Sequence, residues 1–150
     1  MKTGLDWLGL LFGGLFMSRR VIREKVIQTL YECEFRPEEQ PEIVTVRSTE
    51  LEGEERSHFL HLTEGVLKNA SKLDEVYRPL LKKGWSLERI STVDRMILRL
   101  AVFELLYEKK VPKAVVINEA VELAKSFAGE ESSRFVNGIL GRVLETEVQK

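Results

Sequence analysis

The sequence is poor in the residues from which disulfides, metal centres and most catalytic sites are built. Of 150 residues, one is cysteine and two are histidine. A single cysteine, Cys33, excludes an intramolecular disulfide and a cysteine zinc cluster, and it fits a reducing cytoplasm. His58 and His61 stand one helical turn apart, but no cysteine or carboxylate completes a familiar metal spacing, so they read as a solvated pair. There is no glycine-rich phosphate loop, no G-x-S-x-G elbow and no cysteine with local activation. Cys33 falls on a core-facing stripe, where it acts as a small hydrophobe. Neither an enzyme, nor a cofactor, nor a bound metal is expected. An excess of charge is also missing: 23 Lys+Arg stand against 24 Asp+Glu, for a net charge of −1. Any nucleic-acid site must therefore be a local patch, because the whole molecule cannot act as a polycation.

Long apolar runs are absent too. The stretch from Leu5 to Met17 falls short of the roughly 20 residues a membrane span needs. It carries Asp6 early, and no small-x-small cleavage site follows it. Residues 1–16 are read as an apolar extension upstream of a start at Met17, poorly ordered or loosely docked. A short membrane-surface or partner-binding helix is the alternative. Residues 17–150 are read as one domain, large enough for a real core.

What is present is helical periodicity. From Ser18, a plausible N-cap, Ile22, Val26, Thr29, Leu30 and Cys33 share one face. Residues 36–54 hold Pro37, Pro41, Gly53 and six glutamates. They read as an acidic connector with room for a short helical turn. The run IVTV at 43–46 is the one β-like segment. Phe59, Leu62, Val66 and Ala70 form the next stripe. Ser71 to Asp74 fits a capping box and predicts a new helix, ended near Pro79 and Lys83-Gly84. Ser91 to Asp94 fits a second capping box. The helix after it, to about Glu108, is apolar nearly all round, as a helix buried between others would be. Pro112 and Gly129 bracket a further helix, and the last runs from about Glu131 to Glu147. The class is all-α, in two small bundles, 18–83 and 84–150.

Three places could carry function. Arg19, Arg20 and Arg23 crowd the first turns of the first helix. The helix dipole disfavours cations there by about 0.3–1 kcal/mol each, unless an anion binds. The bland alternative is a solvated basic end paired with Glu24 or the connector. In the last helix, Val136, Ile139, Leu140, Val143 and Leu144 form the core side. Phe135 lies about 100° away, with Glu131, Arg134, Gly138 and Arg142 beside or beyond it. A ring flanked by arginines suits single-stranded RNA, where bases stack and guanidinium groups meet phosphates; the alternative is that Phe135 packs on another helix. Gly138 suggests a close helix contact or room for a ligand backbone. The third place faces proteins. Tyr31 sits off the main stripe of its helix, and Glu104, inside an apolar sector, is either a buried, paired carboxylate or an interface anchor.

The run VINEAVELAKSFAGEESSRFVNGIL (116–140), the preceding WSLERISTVDRMILRLAVFELLY and the early SRR-x-x-R with QTLYE resemble the NusB family, bacterial RNA-binding factors of transcription antitermination. The resemblance covers about Met17 to Leu144 and is weakest in the acidic connector. It implies two perpendicular helical bundles. It implies RNA contacts by Arg19, Arg20, Arg23, Glu131, Arg134 and Phe135. It places Tyr31 and Asp94, and Glu104 if it is an anchor, on a surface that docks NusE, a small-subunit ribosomal protein. The implied function is to bind boxA RNA with NusE in the RNA polymerase antitermination complex, above all in ribosomal-RNA transcription. Some family members form homodimers, which leaves that state open. The same helical domain also fronts an RNA cytosine methyltransferase, but such an enzyme would need a further catalytic domain.

Overall fold

The structure, a computed structural model, describes residues 14–83 and 86–148. Among them are six α-helices and no strand. These are α1 (Gly14–Phe35), α2 (Gln40–Ser48), α3 (Gly53–Tyr77), α4 (Thr92–Tyr107), α5 (Lys113–Ala128) and α6 (Glu130–Val143). Short 3₁₀ turns at Pro37–Glu39, Arg78–Leu80 and Leu87–Arg89 join them, and a π turn, Leu144–Val148, follows α6. No helix among the described residues is long and apolar enough to cross a membrane. Residues 1–13 and Gly84 lie outside the described residues. So do most of the expected extension and half of the Lys83-Gly84 stop.

Helices α1, α2 and α3 pack on one another, as do α4, α5 and α6. Helix α4 joins the two groups, because it packs on α1 and α3 as well as on α5 and α6. Its apolar circumference explains this. Met96, Ile97, Leu98, Leu100, Ala101, Val102, Phe103 and Leu105 are all buried, so no side of the helix faces only water. One continuous core results, running from Ile22 in α1 to Val143 in α6. Helix α4 lays the Phe103 ring against Gly65 of α3, where a Cβ would stand 2.3 Å from Cζ of that ring. Gly129 turns the chain between α5 and α6 at φ +105°, in the region that disfavours a side chain.

Several boundaries differ from expectation. Helix α1 begins at Gly14, so Ser18 lies within it rather than at its cap. The acidic connector holds a nine-residue helix, α2. Ile43 and Val44, part of the β-like run, bury against Cys33 there and give that helix a core of its own. Pro41 sits in its first turn, where its missing N–H costs nothing. Helix α3 runs through Ser71 without a break. Asp74, expected to serve a cap, instead accepts from Nε and Nη2 of Arg99, both at 2.8 Å, and from the Tyr77 hydroxyl at 2.8 Å. It ties α3 to α4. The Ser91 cap is present: its Oγ accepts from the Asp94 N–H at 3.1 Å.

Candidate nucleic-acid interface

The three arginines of α1 have three different fates. Arg19 is exposed and donates from Nη1 to Nε2 of His58 on α3 at 3.3 Å. Arg20 is about half exposed and forms a bidentate pair with Glu119 on α5, at 2.9 and 2.8 Å. Hydrogen bonding to Arg20 holds the Glu119 carboxyl below its usual range. Arg23 is only 4% exposed and forks onto Glu104 of α4, with Nη2 at 2.7 Å and Nε at 3.0 Å. Arg23 is therefore corrected from an expected RNA contact to a buried cation, whose Nε and Nη2 donors are spent on Glu104. Glu104, 2% exposed, is corrected from an interface anchor to its partner. The anion-binding argument for a helix start at Ser18 also falls, since α1 begins a turn earlier.

A second region is built around a cavity of about 700 Å³ between the Arg78–Leu80 turn, the start of α4, the end of α5 and α6. Leu80, Ile90, Ile139 and Phe135 supply its apolar lining; Asp94, Ser132, Glu131, Arg134 and Arg142 supply the polar one. Phe135 is half-buried: it packs against the core on one side and lines the cavity on the other. Glu131, Arg134 and Arg142 are exposed at the rim. Arg142 donates from Nη1 to the Leu80 carbonyl at 2.9 Å, which fastens α6 to the turn opposite. Gly138 lines the cavity with nothing within 4 Å of an added Cβ. Of its two expected uses, open space is the one present. Asp94, half-buried, accepts a short hydrogen bond from Ser132. Burial raises its carboxyl above the usual range, against the pull of Ser132 and Ser91.

Asp94 thus meets Glu131, Arg134 and Phe135 in one place, whereas the arginines of α1 lie elsewhere. Arg20 rests on Glu119 in the second turn of α5, and the cavity touches α5 at Ala128. Nine residues of helix separate them, about 13 Å along its axis. Tyr31 lies on the outer face of α1, 41% exposed, with its ring 4.8 Å from that of the more exposed Phe35. Glu34 links this end of α1 to the start of α4 through Arg95, at 2.9 Å. Sequence reasoning missed Leu80, Ser132 and Glu119, because each contributes through a partner distant in the chain. Among the described residues, no group of three or more His, Cys, Asp or Glu side chains is placed to hold a metal ion. Burial, Arg19 and Arg23 push the His58 imidazole down to about 4, so it is neutral near pH 7.

Comparison with known proteins gives a consistent set of relatives. The family model described as NusB family matches residues 20–145. The chain is 48% identical over 131 residues to a transcription antitermination protein NusB of Bacillus cereus, covering 87% of this chain and 99% of that one. Among solved structures, T. maritima NusB superposes with a TM-score of 0.78 at 37% identity, covering 87% of this chain and 92% of that one. A crystal structure of antitermination factors NusB and NusE in complex with dsRNA gives a TM-score of 0.77 at 25% identity, covering 86% of this chain and 97% of that chain.

Proposed function

The chain belongs to the NusB family, and from that premise we propose that it is a transcription antitermination factor that binds boxA RNA together with NusE. The mechanism is assembly rather than catalysis. One observation carries the reading: the cavity that gathers Phe135, Arg134, Glu131 and Asp94 from two helices beside an open glycine. An unpaired base can enter along the inner face of Phe135, with Asp94 and Ser132 as polar partners at its edge. Arg134 and Arg142 stand where phosphates would follow. Arg20 adds a cation further along α5, where it must exchange Glu119 for phosphate, and Arg19 adds one beside α3. Arg23 contributes rigidity only. Glu131 repels phosphate from the rim and tempers affinity.

The NusE face in this reading is the outer side of α1, with Tyr31 and Phe35 as its aromatic pair and the start of α4 beside it. Asp94, turned toward the cavity, lies at the seam between that face and the RNA. Joint binding of the two partners would then follow from adjacency, with NusE extending the surface the strand touches. In the cytoplasm this unit would join RNA polymerase on ribosomal-RNA operons and support its processivity. The test is a binding titration with boxA-like and scrambled RNA, with and without NusE. Tighter binding of the boxA-like strand, enhanced by NusE and weakened by Phe135→Ala, is expected. Equal binding of both strands in the presence of NusE would overturn the reading.

A further inference from the structure

A cluster of aromatic and cationic side chains, unused so far, lies where α3 crosses the end of α4. Gly65 lets the Phe103 ring settle directly on α3. Phe103 is 4% exposed and forms the floor. Above it the Tyr107 ring, 42% exposed, stands 5.1 Å away, centroid to centroid. His61 meets Phe103 edge-on at 5.7 Å, and its Nε2 engages the Glu108 carboxylate. The Lys72 ammonium hovers 5.7 Å from the centre of the Tyr107 ring. Exposed Lys109 and Lys110 follow directly in the chain.

This cluster is continuous with the basic start of α1. Arg19 reaches His58, and His61 is the next turn of the same helix. From His58 to Lys72, α3 advances about 21 Å. The cations of this surface are Arg19, Lys72, Lys109 and Lys110; its carboxylates include Glu64, Glu75 and Glu108, of which Glu75 pairs with Arg78 and Glu108 with His61.

We propose that this surface is a second stacking platform for single-stranded RNA, which takes nucleotides flanking the boxA-like core after the strand passes Arg19. The proposal rests on the RNA-binding reading above. A ring held by a rigid aromatic beneath it keeps its orientation without a ligand, and a base of any identity can stack on it. Lys72 covers the ring loosely. Its flexible stem lets a base displace the ammonium toward the adjoining phosphate, so one contact is exchanged for two. An acidic protein segment could also meet the lysines, but the path from Arg19 favours a strand that is already bound there.

The experiment uses the full chain with NusE and three RNAs: a boxA-like core, and that core extended by about six unpaired nucleotides at its 5′ or its 3′ end. One extended RNA is expected to bind about fivefold or more tightly than the core, the scale of one stacked base. Tyr107→Ala and Lys72→Ala should each reduce that gain and leave core binding unchanged, while Tyr107→Phe should keep it. Lys72→Ala should also lower the salt slope for the extended RNA by about 0.7. The proposal is overturned if neither extension binds more tightly than the core, or if Tyr107→Ala weakens core and extended strands alike. It is equally overturned if the variants weaken NusE binding without RNA and spare RNA binding, since a protein would then occupy the patch. Failure of every RNA to bind would instead overturn the reading on which it rests.

Discussion

Replacing Glu104 by glutamine should unfold this protein at a much lower denaturant concentration without touching its RNA surface. Glu104 and Arg23 have side chains 3% and 4% exposed, and their contacts are 2.7, 3.0 and 3.3 Å long. Removing one partner of such a pair leaves the other charge buried and uncompensated, at a cost of about 3–5 kcal/mol. Glutamine keeps the volume and one acceptor oxygen, so the lower end, about 3 kcal/mol, applies to Glu104→Gln. Against a total stability of about 5–15 kcal/mol that loss is large. With a urea dependence of about 1–3 kcal/mol per molar, the midpoint should fall by about 1–3 M. Replacing both residues by methionine removes both charges together and should restore most of the loss. RNA affinity of the folded double variant should equal that of the parent. Replacing Arg19 and Arg20 by alanine should do the reverse, weakening RNA binding and its salt dependence while moving the urea midpoint little, because both arginines lie at the surface. An unmoved midpoint in Glu104→Gln would refute the buried pair. So would a methionine double variant that folds well but loses RNA binding as the Arg19 and Arg20 variant does, because Arg23 would then be a phosphate contact.

Other outcomes follow from the same geometry. Gly65→Ala should cost about 1–3 kcal/mol by overpacking against Phe103, and trimming the ring with Phe103→Leu should recover part of it; urea unfolding measures both. Glu119→Gln frees Arg20 and should tighten RNA binding at low salt with little change in stability, as read by anisotropy titration; weaker binding would mean that Glu119 orients Arg20 rather than competing for it. Glu131→Gln should likewise tighten RNA binding by removing a repelling carboxylate. His58 titrates at about 4 in the folded protein, against 6.5 as the ordinary value. The unfolded chain therefore binds the extra proton across that window. The stability His58 contributes is complete above pH 6.5 and is lost as pH falls toward 4. His58→Gln should flatten the fall in urea midpoint over that range, and an unchanged slope would refute the assignment.

The parts of the fold that were legible in the sequence are those governed by local rules. The Ser91 cap, the stop at Gly129 and the all-round apolar α4 each follow from neighbours within a few residues. The helical stripe of α6 was equally plain and correctly set Phe135 beside the core rather than in its centre. The failures share a physical cause. Ser71 to Asp74 matches a cap pattern, but Asp74 gains more from Arg99, 25 positions away. Arg23 looks like its neighbours Arg19 and Arg20 until Glu104, 81 positions away, claims it. The acidic stretch before Gly53 reads as a connector because the partner of Ile43 and Val44 is Cys33 on another helix. Charge alone does not reveal whether an arginine is spent inside or offered outside, because the choice belongs to a tertiary contact. The Leu80 side of the cavity was invisible for the same reason.

Helix α4 acts as a party wall. Each half of the molecule leans its apolar face on it, so neither half could keep its interior dry if the other came away. Melting should accordingly occur as a single event, in which the arginine arm and the Phe135 cleft disappear at the same temperature. A partner gripping either one would shift that temperature for both, and the two ends of the molecule would be thermodynamically coupled with no moving part between them.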